Sequence, residues 1–423
     1  MQVRINSRPI GGTLRAIPSK SHAHRLLICA ALAGEQTELL CAADSRDISA
    51  TRNCLTALGA DIQPMEGGWK VYPILMPGEG DINCGESGST FRFLFPVTCA
   101  LSQSRTFSLE GRLSRRPMDA LYDCLEEHGV IVTGAGTEKV SCSGSMRPGR
   151  FTIPGDISSQ FISGLIFALP LLYGDSEIII EGKTESRSYI DLTLACVRQF
   201  GITVEETPTG FVIPGNQRYI SPGRIEVEGD WSNGAFILCG GAISGGVLTL
   251  TGMNNNSIQG DREICSILRD FGARVEISGD KVTLCRENPL RAVTVDVGNI
   301  PDLVPAVAAV ASVAQGETVI KNAGRLRLKE SDRLSAISAA LNAIGGKVEQ
   351  TEDGLLITPV SALHGGEIDC AGDHRIAMSL AIAATRADGP VRLRGGDAVR
   401  KSYPAFYQDL ESLGGNIHVI PLE

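Results

Sequence analysis

The sequence predicts an α/β protein built from six copies of a βαβαββ-like unit, with three copies in each of two domains. Two observations support this: a glycine that recurs at a nearly constant interval after an apolar helical run, and helix-start motifs with the same interval. The length of 423 residues, with 43% hydrophobic and 21% charged content, suits two or three globular domains.

The recurring glycine marks the end of one helix in each unit. Apolar runs such as Cys54–Gly59 and Cys124–Gly129 end in a glycine and continue into a β-branched segment. The glycines are spaced by 70, 72, 71, 73 and 69 residues, and they are Gly59, Gly129, Gly201, Gly272, Gly345 and Gly414. Glycine is typical of the position after a helix because it adopts the left-handed conformation without a Cβ clash. Each unit is therefore predicted to lead from a helix into a strand.

Small polar or acidic residues open two helices in each unit, because their side chains accept hydrogen bonds from free helix amides. The first set of starts comprises 18–21, 87–89, 158–160, 230–233, 300–302 and 373–374. The second set comprises 45–47, 114–116, 186–188, 257–259, 329–331 and 400–402. Strands such as Glu177–Glu181 and Val247–Thr251 complete the unit. We expect one domain from residues 18–229 and a discontinuous one from residues 1–17 plus 230–423.

Composition excludes several classes of protein. A formal net charge of −9 argues against a nucleic-acid surface, which needs a basic stripe. No apolar stretch is long enough for a membrane span, and the first twenty residues lack a signal-peptide apolar region. The twelve cysteines are scattered through apolar segments without a C-x-x-C pair, which favours reduced core residues. We expect a cytoplasmic protein.

Cations occur at many predicted helix starts, although the helix macrodipole disfavours them there. A sequence shaped by stability alone would place carboxylates at these positions. Cations beside serine hydroxyls and free amides are typical of sites for phosphate or carboxylate groups. We predict that the following residues lie in first helical turns and bind anions: Lys20, Arg25, Arg92, Arg116, Lys329, Arg333, Arg375 and Lys401.

Three candidate proton carriers lie among these cations, namely Asp302, Glu330 and His374. Nearby cations favour ionised carboxylates and burial opposes ionisation, so either acid or base duty is open. A structural interpretation is also open, with Asp302 and Asp373 as helix caps and Glu330 as a partner of the helix dipole. His22 and His24 lack the i, i+4 spacing of helical metal ligands, so we expect no metal.

Over essentially its whole length the chain resembles the enolpyruvyl transferase family. The resembling segments, in matching order, are 18–25, 116–117, 158–161, 186–191, 300–302, 329–334, 373–378 and 400–404. The resemblance implies a two-domain fold of six βαβαββ repeats, three per domain, with the active site in the inter-domain cleft. It implies no cofactor, a monomer, and an addition-elimination reaction between phosphoenolpyruvate and shikimate 3-phosphate through a tetrahedral intermediate.

The resemblance also implies residue roles. Shikimate 3-phosphate is expected at Lys20, Ser21, Arg25, Ser158, Ser159, Gln160, Ser186, Asp302 and Lys329. Phosphoenolpyruvate is expected at Lys20, Gly88, Arg92, Arg116, Gln160, Arg333, Arg375 and Lys401. Asp302 is expected to handle the 5-hydroxyl proton, and Glu330 with Lys401 the C3 proton, while Lys20 and His374 complete the catalytic set.

Two other functions are open at this point. The sister enzymes use UDP-N-acetylglucosamine as acceptor. That family has Lys-Asn where this chain has Lys20-Ser21, and it carries a reactive cysteine on a loop for which residues 111–117 contain no cysteine. A catalytically inactive scaffold is the second alternative, and it would be expected to lose Asp302, Glu330 or Lys401. In this family a glycine at the position of Gly88 accompanies sensitivity to glyphosate, so we expect competition with phosphoenolpyruvate. Glu86 and Arg325 depart from the family pattern and leave local contacts open.

Overall fold

The computed structural model describes residues 1–76, 78 and 80–420. The chain divides into two compact units, a continuous unit of Lys20–Val227 and a discontinuous unit of Met1–Ser19 with Glu228–Glu423. The sequence places these boundaries after Ile17 and Gly229. Within the described residues the strands form six four-stranded sheets, three in each unit.

The first two strands, β1 (Gln2–Asn6) and β2 (Gly12–Arg15), belong to the discontinuous unit. The helices of the continuous unit are α1 (Lys20–Leu32), α2 (Arg46–Leu58), α3 (Gly88–Ala100), α4 (Asp119–Glu127), α5 (Ser159–Ala168) and α6 (Arg187–Gln199). Its strands are β3 (Thr37–Leu40), β4 (Asp61–Met65), β5 (Gly68–Tyr72), β6 (Ile82–Gly85), β7 (Arg105–Leu109), β8 (Val130–Thr133), β9 (Lys139–Gly144), β10 (Arg150–Pro154), β11 (Ser176–Glu181), β12 (Glu205–Thr207), β13 (Gly210–Ile213) and β14 (Arg224–Glu226).

The discontinuous unit continues with helices α7 (Trp231–Ser244), α8 (Ile264–Asp270), α9 (Val304–Ala311), α10 (Arg333–Ala343), α11 (His374–Ala384) and α12 (Phe406–Ser412). Its remaining strands are β15 (Leu248–Thr251), β16 (Arg274–Ser278), β17 (Lys281–Cys285), β18 (Thr294–Asp296), β19 (Thr318–Lys321), β20 (Lys347–Gln350), β21 (Leu355–Thr358), β22 (Gly366–Asp369), β23 (Val391–Arg394) and β24 (Asn416–Ile420). Short 3-10 helices precede several α-helices, at Leu113–Arg115, Gly260–Glu263, Pro301–Leu303, Gly324–Leu328 and Gly396–Lys401.

All six sheets share one topology, which confirms the predicted fold class. In the sheet β6-β7-β9-β8, a parallel pair joined through a helix is followed by two antiparallel neighbours. Three repeats are completed by strands distant in sequence. β14 supplies the first strand of the α1 repeat, β2 that of the α7 repeat, and β1 lies between β23 and β24. The continuous unit is therefore an insertion between β2 and α7.

The six recurrent glycines have the predicted left-handed conformation. Their φ angles are +117°, +90°, +78°, +98°, +83° and +97° for Gly59, Gly129, Gly201, Gly272, Gly345 and Gly414. An L side chain is strained at such angles, so glycine is the residue that lets each helix turn into the following strand.

One helix of each repeat is buried on nearly all sides: α1, α3 and α5 in the continuous unit, and α7, α9 and α11 in the discontinuous unit. Every residue of α9 and of α11 is buried. The free amides at the start of a buried helix cannot rely on water and need protein partners or a ligand. Ser87, Ser158, Asp230 and Asp373 cap four of these helices through side-chain oxygens.

The second set of predicted helix starts is correct at Ser45 and Ser186 and wrong at the other four sites. Residues 114–116 end in an extended Arg116, because Pro117 disfavours a helical conformation before it, and α4 begins at Asp119. The α10 helix begins at Arg333 because Asp332 is the cap. Residues 257–259 precede a 3-10 segment, and the α-helix begins later, at Ile264. Residues 400–402 lie at the end of another 3-10 segment, and the next α-helix begins at Phe406.

The hydrophobic residues form one large core in each unit. Eleven of the twelve cysteines are buried free thiols, and Cys285 is partly exposed. Among the described residues, no helix combines the length and the apolar character needed to cross a membrane.

Candidate functional site

The predicted anion-binding cations do not all lie in first helical turns. Lys20, Arg333 and Arg375 do, at the starts of α1, α10 and α11, while Arg25 and Arg92 lie one turn further along α1 and α3. The prediction is therefore wrong for Arg25 and Arg92. It is also wrong for three further residues: Arg116 and Lys329 have extended backbones after 3-10 segments, and Lys401 is the last residue of a 3-10 helix. Tight local turns place these three cations.

Arg333 is the centre of an ion-pair cluster in the discontinuous unit. Its side chain is 2% exposed, and each guanidinium nitrogen contacts a different carboxylate. Nε donates to Asp373 at 2.8 Å, Nη1 to Asp302 at 2.9 Å and Nη2 to Glu330 at 2.6 Å. Burial opposes the charge, but the three carboxylates outweigh it and hold the pKa of Arg333 above its ordinary value.

Asp302 receives cations on both carboxylate oxygens. Arg333 donates to Oδ1, with Lys329 Nζ 3.9 Å away, and Arg375 donates to Oδ2 at 2.8 Å. Arg375 also donates to the Asp302 carbonyl oxygen at 3.2 Å. Burial favours the protonated form, but Arg375, Lys329 and Arg333 hold the pKa of Asp302 well below its usual range. Asp302 is therefore an ionised carboxylate before any substrate binds.

Asp373 joins the starts of two helices. Its Oδ1 accepts the backbone N–H of Arg375 as the cap of α11, and its Oδ2 accepts from Ser331 Oγ at 3.0 Å and from Arg333. The side chain of Asp373 is completely buried. His374, the first residue of α11, is also buried, with Nδ1 3.7 Å from Oδ1 of Asp373. The cap interpretation of Asp373 is correct, and its second oxygen fixes Arg333 as well.

Lys329 lies at the margin of the Arg333 cluster, and Lys401 belongs to the same unit. Lys329 is one-third exposed, and burial, helped by Arg333 and Arg325 and opposed by Asp302 and Glu330, lowers its pKa to about 8. Lys401 is buried at the end of a 3-10 segment that packs against α11. The next residue, Ser402, donates to Asn233 at 3.1 Å and so ties the segment to α7.

Asp261 belongs to this cluster, although the sequence analysis missed it. It lies in the 3-10 segment before α8 and is 3% exposed. Burial and the neighbouring Asp302 raise the pKa of Asp261 to about 6, against the opposing effect of Arg375. A single aspartate between a glycine and an arginine carries no recognisable signal, so only folding could reveal this neighbour.

Lys20 of the continuous unit is held by a second residue that the sequence analysis missed. Its Nζ lies 2.8 Å from Oδ2 of Asp47, and both side chains are nearly buried, at 13% and 11% exposed. Asp47 lies in the first turn of α2, where an acidic residue is the ordinary dipole partner. Its place in the first turn of a helix therefore gave no sign in the sequence that Asp47 pairs with Lys20.

Arg25 is buried, and each of its three side-chain nitrogens donates a hydrogen bond within the continuous unit. Its Nε donates to Thr193 at 2.8 Å, Nη1 to the Ser21 carbonyl at 2.8 Å and Nη2 to the Tyr189 carbonyl at 2.9 Å. Burial lowers its pKa to about 10, at which it is still charged near neutral pH. Arg25 thereby links the start of α1 to α6, where the cap residue Ser186 has a strained, positive φ of +52°.

Arg92, Gln160, Gly88 and Arg116 lie together at the starts of α3 and α5. Arg92 Nη1 donates to Gln160 Oε1 at 2.9 Å, and Gln160 Nε2 donates to Ser89 Oγ at 2.8 Å. A Cβ atom on Gly88 would lie 2.8 Å from Nη1 of Arg116 and 3.7 Å from Nη1 of Arg92. Two guanidinium groups therefore approach the α3 start, and a side chain in place of Gly88 would require the Arg116 guanidinium to shift.

The surroundings of this second group suit a small anion. Ser158 caps α5 by accepting from Gln160 N at 3.3 Å, and Ser159 is the first residue of that helix. A cavity of about 300 Å³ opens beside Arg116, and it is lined also by Ser114, Arg115, Asp119 and Tyr122. Helix amides, hydroxyls and paired arginines are the groups that bind phosphate and carboxylate. Among the described residues, no three His, Cys, Asp or Glu side chains group as metal ligands.

Comparison with known proteins gives concordant results. The family model described as "EPSP synthase (3-phosphoshikimate 1-carboxyvinyltransferase)" matches residues 5–410. The chain is 41% identical to the 3-phosphoshikimate 1-carboxyvinyltransferase of Clostridium kluyveri and 39% identical to that of Clostridium acetobutylicum, over 98% of each chain. It is similar in structure to the EPSP synthase of Acinetobacter baumannii, with a TM-score of 0.82, 25% identity and complete coverage of both chains. The enolpyruvyl transferase NikO of Streptomyces tendae shares the fold, with a TM-score of 0.80 at 17% identity over 99% of this chain and 98% of NikO.

Proposed function

Because the chain belongs to the EPSP synthase family, we propose that the two clusters described above carry out the reaction of that family. The enzyme transfers the enolpyruvyl group of phosphoenolpyruvate to the 5-hydroxyl of shikimate 3-phosphate and releases phosphate, a step in the biosynthesis of aromatic amino acids. One structural observation supports the assignment most strongly: Asp302, the proposed base, is held by Arg333, Arg375 and Lys329, the proposed substrate-binding cations.

The proposed binding residues follow the expected division. Shikimate 3-phosphate is assigned to Lys20, Ser21, Arg25, Ser158, Ser159, Gln160, Ser186, Asp302 and Lys329. Phosphoenolpyruvate is assigned to Lys20, Gly88, Arg92, Arg116, Gln160, Arg333, Arg375 and Lys401. Internal hydrogen bonds use three of the five N–H donors of Arg25, so they orient its guanidinium and fix Ser21, while the positive charge attracts the phosphate group.

Substrate anions would compete with Asp302 for its cations. Once a phosphate or carboxylate of a substrate attracts Arg333, Arg375 and Lys329, their hold on Asp302 weakens and its pKa rises toward the ordinary value. A carboxylate with a more ordinary pKa is a stronger base for a hydroxyl proton. Substrate binding thus activates the proposed base.

The proposed chemistry has two balanced steps. In the addition step, the 5-hydroxyl oxygen bonds to C2 of phosphoenolpyruvate, its proton passes to Asp302, the C2=C3 π bond breaks and C3 gains a proton. In the elimination step, the C2–O bond to phosphate breaks, C3 loses a proton, the C2=C3 double bond forms again as part of the enol ether product, and the proton on Asp302 leaves with phosphate. We assign the C3 proton to Glu330 with Lys401, and stabilisation of the intermediate to the arginines and His374.

The alternative acceptor, UDP-N-acetylglucosamine, is not favoured. The matching family and the relatives of about 40% identity act on shikimate 3-phosphate by name. We further propose a cytoplasmic enzyme that acts as a monomer, for which size-exclusion chromatography with light scattering gives the deciding mass.

The acceptor assay tests the proposed function. Phosphate release from phosphoenolpyruvate is expected with shikimate 3-phosphate and not with UDP-N-acetylglucosamine, each followed by a coupled phosphate assay. Release with the UDP-sugar alone would identify the sister activity. Release with neither acceptor would point to the scaffold alternative.

Asp302→Asn tests the assignment of the base. Asparagine is nearly isosteric but cannot accept the 5-hydroxyl proton, so kcat is expected to fall by about 10²-fold or more, with the KM for shikimate 3-phosphate within a few fold. Asp296→Asn, an exposed aspartate of the same unit, serves as the control and should keep the wild-type kcat. A near-wild-type kcat for Asp302→Asn would show that Asp302 does not accept the 5-hydroxyl proton.

The charge of Lys329 is expected to make kcat/KM for shikimate 3-phosphate depend on pH. Its lowered pKa means that its charge, and with it part of the affinity for shikimate 3-phosphate, is present below about pH 8 and is lost as pH rises through that value. A plot of kcat/KM for shikimate 3-phosphate from pH 6 to 10 should fall near pH 8. In Lys329→Arg the fall should move upward because arginine stays charged, whereas exposed Lys321→Arg should leave it in place. If kcat/KM of Lys329→Arg still falls near pH 8, the titrating group is not Lys329.

Gly88→Ala tests the phosphoenolpyruvate site. The new methyl would displace the Arg116 guanidinium, so the KM for phosphoenolpyruvate and the inhibition constant of glyphosate are both expected to rise by about tenfold or more. Gly34→Ala is the matched control, since its Cβ would meet no atom closer than 4.0 Å. Glyphosate that does not compete with phosphoenolpyruvate in the wild type would contradict this site.

A further inference from the structure

A buried chain of hydrogen bonds joins three helices of the continuous unit beneath the start of α3. His24 Nδ1 lies 2.6 Å from Thr51 Oγ1, Thr51 Oγ1 lies 2.6 Å from Thr90 Oγ1, and Thr90 Oγ1 donates to Ser87 Oγ at 2.7 Å. The first three residues have no exposed surface, and Ser87 is 2% exposed. We call these four residues the α3 relay.

The hydrogens of the α3 relay can run in only one direction. Thr90 has a single hydroxyl proton and gives it to Ser87, so it must accept from Thr51. Thr51 in turn gives its only proton to Thr90, and it must accept from Nδ1–H of His24. Burial lowers the pKa of His24 to about 3, so the ring is neutral and carries its proton on Nδ1. Among the described residues, Nε2 of His24 has no hydrogen-bond partner, so Nδ1 makes its polar contact.

Two parallel contacts connect α1 with α2. Lys20 and His24 are one helical turn apart on α1, and their partners Asp47 and Thr51 are one turn apart on α2. The first contact is the ion pair of Lys20 with Asp47. The second is the hydrogen bond of His24 with Thr51, from which the α3 relay continues into α3 and ends at Ser87. The first two turns of α1 are thus linked to the start of α3.

The relay fixes the cap of α3 more firmly than the cap bond itself does. The backbone bond from Thr90 N to Ser87 Oγ is long, at 3.4 Å, whereas the hydroxyl of Thr90 donates to the same oxygen at 2.7 Å. The orientation of Ser87 therefore depends chiefly on Thr90, and through it on Thr51 and His24. Gly88, the residue after Ser87, is the point approached by Arg92 and Arg116.

A purely structural use of buried hydroxyls looks different in the same helix. Thr98 of α3 is also fully buried, but its hydroxyl donates to the carbonyl of Leu94 one turn earlier. Such a bond satisfies the hydroxyl within one helix and positions nothing else. A chain across three helices is specific because each member depends on the next for its partner.

We propose that His24, Thr51 and Thr90 are positioning residues for phosphoenolpyruvate, which hold Ser87 and the first turn of α3 so that Gly88 meets the bound anion. This role rests on the proposed function for the nature of the ligand. The positioning of α3 itself is a property of the ligand-free protein. The two claims can therefore be separated by measurement.

The test compares threonine variants of matched shape. Thr51→Val removes the hydroxyl and keeps the volume, Thr51→Ser keeps the hydroxyl, and Thr98→Val is the control for loss of a buried hydroxyl in α3. Thr90→Val removes the final donor and replaces Thr51→Val if that variant fails to fold. Steady-state kinetics with each substrate varied, and amide hydrogen exchange of residues 87–91 without ligands, are the two measurements.

Thr51→Val is expected to raise the KM for phosphoenolpyruvate by about fivefold to tenfold, with the KM for shikimate 3-phosphate within about twofold. Exchange of the residue 87–91 amides should become at least about tenfold faster. Thr51→Ser should restore both values to near wild type, and Thr98→Val should change neither.

Unaltered exchange in Thr51→Val, or equal effects of Thr98→Val, would overturn the positioning role. Faster exchange with an unchanged KM for phosphoenolpyruvate would overturn the link to that substrate. If the wild-type enzyme releases no phosphate with shikimate 3-phosphate, the proposed function fails, and the exchange comparison still decides whether the relay positions α3.

Discussion

The site of the discontinuous unit depends on the ion pairs that the buried guanidinium of Arg333 makes with three carboxylates. Its three nitrogens face Asp302, Glu330 and Asp373, and Asp302 in turn binds Arg375. A buried charge without partners costs far more than a buried pair, so these groups fix one another's positions. With Lys329 and Asp261, the cluster places three cations beside four carboxylates. In the proposed reaction, a multiply anionic substrate redistributes these pairs, and this redistribution raises the basicity of Asp302.

The fold creates this arrangement through its buried helices. Each repeat buries one helix, and the free amides at its start require a partner. Asp373 shows the consequence, since one oxygen caps α11 and the other holds Arg333. Ser87 shows it in the continuous unit, where the cap of α3 is held by hydroxyls from two helices and by a histidine. Capping, which serves stability in most helices, here also positions the groups that are assigned to substrates.

Local sequence signals predicted the repeats well because they depend on neighbouring residues. The six glycines were recognisable since a left-handed position follows directly from helix termination. The same reasoning misplaced Arg116, Lys329 and Lys401, because 3-10 turns and Pro117 delay the following helices. Asp47 and Asp261 were missed since each becomes informative only beside Lys20 or Asp302. Three repeats also take a strand from a distant part of the chain, which no local pattern reveals.

The sequence by itself determined the six-unit architecture, the family resemblance and the identity of most candidate site residues. These properties reside in spacing, in residue type and in motif order, which are encoded along the chain. The tertiary structure alone decided which carboxylate holds which cation, that internal hydrogen bonds orient Arg25, and that His24 is neutral with its proton on Nδ1. Those properties depend on burial and on distances of about 3 Å between residues far apart in sequence, and they exist only once the helices have packed.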